Sequence, residues 1–342
     1  MIEKILTYAK SKNSSDILIS SNCAPNLRIE GDIVQIKDAP IPTPDQVLEM
    51  IHSFMDEGQK QTYKEKLELD FAVQIGDNLR FRANSFFTIN GPAIVFREIP
   101  TQIKSLSTLG VPFAVRSLAN CKKGLVLVVG PTGSGKSTTL AALVDEINAN
   151  SASHIITIED PVEFIHKNKK SLINQRQVGS STWSFANALK SALRENPDVI
   201  LVGEMRDLET IQLALTAAET GHLVLGTLHT SSAAQTINRI IDVFPSEDKA
   251  VARTMLSTSI KAVISQRLLK KREGGRCAAY EIMTANSSIR NLIREDKIPQ
   301  INSIIELNKR LGMCLMRDSI KELQEKNFIT EETANEALIG NE

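Results

Sequence analysis

Short segments of differing periodicity make up the first part of the chain. Apolar residues at helical spacing open it: Ile2, Ile5, Leu6 and Ala9. Alternating segments then predict short strands: Ile17–Ser20, Leu27–Glu30 and Ile33–Ile36. A helix is predicted to begin at Pro44, because Thr43 can cap it and Gln46 can complete a capping box. Together with further alternating segments, this indicates a small α+β domain over residues 1–98.

The pattern changes after residues 99–107, which are predicted to form a linker. Continuous apolar runs indicate parallel strands buried on both faces: Leu125–Val129, Ile155–Ile158, Val199–Val202 and Leu223–Thr227. Longer helical segments fit between them: Ser137–Asn148, Thr182–Arg194 and Leu208–Thr220. Strands that alternate with helices indicate a βαβ nucleotide-binding core. From Pro245 onward we predict helices, so residues 108–342 are expected to form an α/β domain with a helical C-terminal part.

Composition narrows the functional classes. Lys+Arg and Asp+Glu both number 40 and aromatic residues make up 4%, which argues against a basic, base-stacking nucleic-acid translocase. The four cysteines form no CxxC pair, so a zinc site built on paired cysteines is excluded. The apolar runs all fall short of the ~20 residues needed to span a bilayer. We therefore expect a cytoplasmic protein without direct membrane insertion, which reaches a membrane only through a partner.

One segment has the pattern of a phosphate-binding loop. Gly130–Ser137 matches GxxxxGK[ST], directly after the run Leu125–Val129 and at the start of a predicted helix. Glycines let backbone N–H groups converge on phosphate oxygens, and the helix N-terminus adds its dipole. Lys136 is expected to reach the β- and γ-phosphates, and the Ser137 hydroxyl to ligate Mg²⁺. The predicted contacts of ATP are Gly130, Pro131, Thr132, Gly133, Ser134, Gly135, Lys136, Ser137 and Thr138.

Acidic residues follow two of the predicted buried strands. Glu159 and Glu163 come after Ile155–Ile158, and Glu204 follows Val199–Val202. Carboxylates at the carboxyl end of a parallel strand point toward the ligand crevice. We favour Glu204 as the catalytic acid and Glu163 as its helper near the attacking water or the metal, and the reverse assignment stays open. The candidate metal contacts are Ser137, Glu159, Glu163 and Glu204.

Basic residues elsewhere are candidates for phosphate contacts. His229, near the end of the run Leu223–Thr227, is either a structural residue or a partner of the γ-phosphate or of a neighbouring subunit. Arg82 and Arg97 sit on predicted strands of the first domain. Each is either part of a solvated strand face or reaches ATP across a subunit boundary. An arginine supplied in trans in this way raises rates by about 10³–10⁵ in P-loop systems.

At this point the motifs resemble those of the secretion-type ATPase superfamily and, within it, the PilT group of type IV pilus retraction motors. The matching segments are Gly130–Ser137 (Walker A), Ile158–Glu163 (Asp box), Asn196–Asp207 (Walker B) and Gly221–His229 (His box). Arg82 and Arg97 fall where the family's first-domain arginines lie. The sequence departs from the family at Ser15–Leu18, which lacks a usual histidine, and at Asn196 and Asn238, where aspartate is common.

The resemblance implies a RecA-like P-loop ATPase core preceded by a smaller PAS-like α+β domain. It also implies a homohexamer that hydrolyses ATP with Mg²⁺ and retracts a pilus by acting on an inner-membrane platform protein, from the cytoplasmic face of that membrane. An accessory retraction motor, or another type II/IV secretion-system motor, is the alternative.

A further resemblance concerns the C-terminal part. Ser288–Glu295 is close to the AIRNLIRE segment of retraction motors. Arg290 and Arg294 are four residues apart and so share one helix face. This face is either a solvated basic surface or a surface that transmits motion. In both cases we expect alanine at these two positions to leave folding nearly normal.

Overall fold

The computed structural model of the protein describes residues 2–12, 14–29, 31–76, 79–99 and 102–339. Contacts divide the chain into two compact units, Met1–Gln102 and Ile103–Glu342. Glu30, which belongs to a predicted strand, and Pro100 and Thr101, which belong to the predicted linker, lie outside the described residues.

The first unit contains an antiparallel sheet with helices. Its helices are α1 (Ile2–Ser11), α2 (Pro44–Ser53) and α3 (Glu57–Lys66). Its strands are β1 (Asp16–Ser20), β2 (Asn26–Ile29), β3 (Asp32–Gln35), β4 (Glu68–Ile75), β5 (Leu79–Thr88) and β6 (Gly91–Ile99), in the order β3-β2-β1-β6-β5-β4. The predicted capping box is confirmed, because Thr43 accepts from the Gln46 N–H and the Gln46 side chain accepts from the Thr43 N–H. Phe81 and Phe96 meet edge to face in the core of this unit.

The second unit is built around a mixed sheet of seven strands. They are β7 (Gly124–Val129), β8 (His154–Glu159), β9 (Leu172–Gln177), β10 (Val199–Val202), β11 (Leu223–Leu228), β12 (Ile260–Lys270) and β13 (Arg276–Thr284). The order is β13-β12-β7-β11-β10-β8-β9, with β13 antiparallel and the remaining pairs parallel. The helices are α4 (Phe113–Arg116), α5 (Lys136–Asn150), α6 (Phe185–Ala192), α7 (Leu208–Glu219), α8 (Ala233–Asp242), α9 (Lys249–Ser259), α10 (Ser287–Arg294), α11 (Ile301–Leu307), α12 (Met316–Glu325) and α13 (Glu331–Ile339).

The α/β class and the four predicted buried strands are confirmed, but the C-terminal part differs from the prediction. A hairpin of β12 and β13 interrupts the helices that we predicted from Pro245 onward. The reason is that β12 carries polar residues in its interior, among them Ser265 and Gln266, which are buried and bonded to other elements. Edge strand β9 was also missed, because its residues are mostly polar.

The sheet order places the chemistry-bearing strands side by side. β7, β11, β10 and β8 are consecutive and parallel, so their carboxyl ends meet at one edge of the sheet. The P-loop follows β7, His229 of the His box follows β11, and Glu204 and Glu159 lie at the ends of β10 and β8. Within the described part of the chain, no helix is both long and apolar enough to cross a membrane.

Candidate nucleotide site

The P-loop packs tightly against the neighbouring strand β12. A Cβ at Gly130 would lie 2.3 Å from the Gln266 carbonyl oxygen, and one at Gly135 would lie 2.8 Å from the Gln266 Nε2. Both glycines also have positive φ, 145° and 88°, which side chains disfavour. The loop can therefore hold this course only with glycine at these two positions.

Lys136 is folded back onto the loop. Its Nζ donates to the carbonyl oxygens of Gly130, at 2.8 Å, and Pro131, at 3.0 Å. Burial lowers the pKa of Lys136, and the negative charges of Glu204 and Glu163 oppose that shift. The predicted phosphate-binding lysine and both candidate catalytic acids thus lie within electrostatic reach of one another.

The loop also presents polar atoms suited to an anion. The Ser134 hydroxyl is buried and has no hydrogen-bond partner among the described residues. A phosphate oxygen bound in the loop would supply the missing acceptor. Ser137 and Glu159 line one small cavity of about 30 Å³, together with Thr227 from the end of β11. The other predicted contacts, Pro131, Thr132, Gly133 and Thr138, are exposed or partly exposed on the loop and the first turn of α5.

Glu204 is held by two basic side chains. Arg206 forms a bidentate ion pair with the carboxylate of Glu204, with its Nε 2.5 Å from Oε1 and its Nη2 2.6 Å from Oε2. The Nε2 of His229 lies 3.1 Å from Oε1. Burial alone would raise the pKa of Glu204, but the hydrogen bonds and charges of Arg206 and His229 outweigh it, so the pKa lies below its ordinary value. His229 therefore contacts the candidate acid directly, a contact that sequence reasoning did not predict.

The other two acids lie on the loop after β8. The Glu159 carboxylate accepts from the Thr157 hydroxyl at 2.7 Å, the Gln175 amide at 3.3 Å and the Glu163 N–H at 3.4 Å. Burial raises its pKa in spite of these bonds. Its oxygens are thus engaged in holding the loop, whereas the Glu163 side chain is exposed. The predicted metal roles of Glu159 and Glu163 stay predictions.

The candidate contacts of a divalent cation at this site are oxygen atoms. No group of three or more His, Cys, Asp or Glu side chains in the described part of the chain is arranged to hold a metal ion. The Ser137 hydroxyl and the nearby carboxylates are oxygen donors, the kind that Mg²⁺ prefers. The arrangement fits an ion that takes the rest of its coordination from nucleotide phosphates and water.

The two first-domain arginines are direct cross-strand partners on β5 and β6. Arg82 lies opposite Arg97, and both are exposed on the same face of that sheet. The Nε of Arg97 is 2.8 Å from the buried Asp16, and the Nε of Arg82 is 3.6 Å from the exposed Asp70. The Arg97 side chain is still 70% exposed, so part of its guanidinium faces solvent.

The segment Ser288–Glu295 does not form the uniform basic face that its spacing predicts. Arg290 reaches across to the end of α9, where it donates to the carbonyl oxygens of Ser257 at 2.5 Å, Thr258 at 2.8 Å and Ile260 at 2.8 Å. Arg294 is exposed. The premise that both arginines are exposed single charges is therefore wrong for Arg290, because it is partly buried and caps a helix end that is distant in sequence.

Gln266 is a site residue that sequence reasoning missed. It is buried, its Nε2 donates to the Ser134 carbonyl oxygen at 2.8 Å, and its Oε1 accepts from the Thr139 hydroxyl at 2.7 Å. The available signal was an amide close behind the apolar run Ala262–Ile264, because a buried amide requires hydrogen-bond partners.

With this geometry in place, comparison with known proteins identifies the family. The family model of type II/IV secretion system proteins matches residues 1–295. The type IV pilus retraction ATPase PilT of Pseudomonas aeruginosa is 50% identical over 335 residues, which cover 98% of this chain and 97% of that protein. A twitching motility protein of Neisseria gonorrhoeae is 53% identical over 313 residues, covering 91% and 83%.

A solved structure agrees with the sequence relatives. The crystal structure of the pilus retraction motor PilT with bound ADP superposes with a TM-score of 0.92 at 46% identity, covering 98% of this chain and 96% of that one. The chain belongs to the type II/IV secretion system protein family and is a PilT-like member of it.

Proposed function

We propose that this chain is the subunit of an ATP-hydrolysing motor that powers type IV pilus retraction. The observation that carries the proposal is the meeting of the P-loop, Lys136 and Glu204 at one edge of the sheet. This arrangement occurs in a chain that aligns almost end to end with a pilus retraction ATPase.

The P-loop and the acids divide the chemical work. Lys136 exchanges its bonds to the Gly130 and Pro131 carbonyls for the β- and γ-phosphates of ATP. Glu204 takes the proton of the attacking water as a general base. The ion pair with Arg206 makes Glu204 a weaker base. Glu204 therefore becomes a stronger base when Arg206 turns away from it toward the negative charge of the phosphates. His229 keeps the carboxylate oriented through its contact with Oε1.

Magnesium fits the same site as a phosphate-bound cofactor. Ser137 would hold it through its hydroxyl, and Glu163 or Glu204 would contact its coordinated waters. When bound, the ion neutralises charge that develops on the phosphates.

Assembly into a homohexamer would complete the site. Arg82 and Arg97 of one subunit are proposed to act on the ATP of a neighbour, as basic residues exposed on one sheet face. The motor is proposed to work from the cytoplasmic face of the inner membrane on the pilus platform protein. This location and partner are supported by the similarity to PilT.

The test is a gene deletion complemented with wild type, Lys136→Ala or the exposed-lysine control Lys190→Ala. Retraction predicts excess surface pili and lost twitching in the deletion strain, restored by wild type and Lys190→Ala but not by Lys136→Ala. Purified Lys136→Ala should lose ATP hydrolysis while it still unfolds cooperatively on heating, which shows that the loss is not due to misfolding. Absent pili would instead indicate an assembly motor. Normal retraction with failed protein export would indicate another secretion-system motor.

A further inference from the structure

The buried amide of Gln266 bridges the two sides of the P-loop. β12 runs parallel to β7 with Ser265 opposite Val129, so Gln266 stands beside Gly130, the first residue of the loop. Its side chain bonds to Ser134 within the loop and to Thr139 in the first turn of α5. The bridge therefore spans residues 135–138, which include Lys136 and Ser137.

The orientation of the amide is fixed by its partners. The Ser134 carbonyl can only accept a hydrogen bond, so the nitrogen of Gln266 must face it and the oxygen must face Thr139. The bridge is also closely packed, because a Cβ at Gly135 would lie 2.8 Å from the Gln266 Nε2. The amide has little room to turn, and the Ser134 carbonyl is held toward β12.

Peptide planarity carries this constraint to the ligand side of the loop. In a trans peptide the C=O of one residue and the N–H of the next point in opposite directions. Holding the Ser134 carbonyl toward β12 thus turns the Gly135 N–H away from β12. Without the bridge, rotation of this peptide would present a carbonyl oxygen where a phosphate needs a donor.

We propose that Gln266 is a positioning residue that fixes the Ser134–Gly135 peptide so that the Gly135 N–H is presented to a nucleotide phosphate. The proposal rests on the proposed ATP site. It adds to that site Gln266, which lies 130 positions after Lys136 in the sequence. Gln266 itself does not contact the reacting atoms.

The experiment compares Gln266→Met and Gln266→Glu with a matched control elsewhere in the same unit. Asn148, at the far end of α5, is a buried amide with the same bridging chemistry: its Nδ2 donates to the Lys167 carbonyl at 2.8 Å and its Oδ1 accepts from the Lys169 N–H at 3.0 Å. Asn148→Asp therefore removes a buried amide donor, as Gln266→Glu does, but away from the phosphate loop. Affinities for ADP are measured by calorimetry and turnover by phosphate release.

We expect both Gln266 variants to bind ADP about tenfold more weakly than wild type at pH 8.5, with a raised KM for ATP. Asn148→Asp should keep wild-type affinity even where its thermal stability falls. Gln266→Glu should regain affinity as the pH falls to 6, because a protonated carboxyl donates to the Ser134 carbonyl as the amide does, and burial favours that form. Gln266→Met should show no such recovery beyond that of wild type.

Two results would overturn the proposal. One is wild-type ADP affinity in Gln266→Glu at pH 8.5, and the other is an equal loss of affinity in Asn148→Asp, which would reduce the effect to general destabilisation. If Gln266→Met does not fold, the pH series of Gln266→Glu decides alone. Failure of the wild-type protein to bind ADP would instead refute the proposed function, so the two failures are distinguishable.

Discussion

Replacing Arg290 with alanine should destabilise the second unit strongly, although the residue lies on a helix surface. Its guanidinium donates three hydrogen bonds to carbonyl oxygens at the junction of α9 and β12. It also places a positive charge at the negative end of α9. Hydrogen bonds to charged groups contribute about 1.5–3 kcal/mol each. The carbonyl of Thr258, an exposed residue, can be rehydrated after the substitution, so we expect a total loss of about 3 kcal/mol.

The same helix supplies a matched control for this prediction. Arg294→Ala removes the same side chain from an exposed position, where a charge contributes about 0–1 kcal/mol. Burial lowers the pKa of Arg290, and the positive charge of Arg294 lowers it further. Arg294→Ala removes this second effect. In a unit of this size, about 3 kcal/mol corresponds to a fall in Tm of roughly 6–12 °C.

Calorimetric or fluorescence-detected thermal unfolding of the two single variants measures the difference. A Tm of Arg290→Ala within about 2 °C of Arg294→Ala, given the usual dependence of Tm on stability, would refute the capping role. Motility assays of strains carrying Arg294→Ala test whether this exposed arginine transmits motion. If ATP hydrolysis persists while retraction fails, the exposed arginine has a role in transmitting motion. If both persist, it is a solvated surface charge.

The remaining predictions concern the chemistry and its pH dependence. Glu204→Gln should retain ADP affinity but lower turnover by about 100-fold or more, because an amide cannot accept the proton of water; near-normal turnover would move the base assignment to Glu163. Arg82→Ala should lower turnover far more than nucleotide affinity, and mixing it with Lys136→Ala subunits should restore part of the activity; no rescue in mixtures that exchange subunits would argue for action in cis. Burial lowers the pKa of His166 from 6.5 to about 4. Between these values the unfolded chain binds more protons than the folded chain, so the free energy of unfolding decreases as the pH falls, by at most about 3 kcal/mol. His166→Gln should flatten the pH dependence of the unfolding free energy in denaturant titrations between pH 7 and 5, and an unchanged slope would contradict this assignment.

Some elements could be predicted from the sequence because one local signal determined them. The continuous apolar run Leu125–Val129 predicts a strand buried on both faces, and the structure has one there. The GxxxxGK[ST] pattern after it predicts a loop that leads into a helix, which is α5. Helix ends depend on finer detail. The predicted helix Thr182–Arg194 is observed as Phe185–Ala192, because Ser184 caps it by accepting from the Asn187 N–H. Contacts between distant segments, such as Arg290 with the end of α9, leave no trace in a local window.

The hairpin that the sequence reading missed could still have been inferred from β7. All six residues of β7 are buried, yet the four predicted parallel strands provide a neighbour on only one side of it. A buried strand cannot leave its other edge of N–H and C=O groups unpaired. A further strand therefore had to come from the C-terminal part, and glycine at position 130 indicates that its backbone passes close to the start of the P-loop. β12 meets both requirements. Its polar residues made it hard to predict as a strand, and they are the residues that bond to other elements. Ser265 donates to the Ser231 carbonyl, Gln266 bonds to the P-loop, and Arg267 donates to the Ala337 carbonyl.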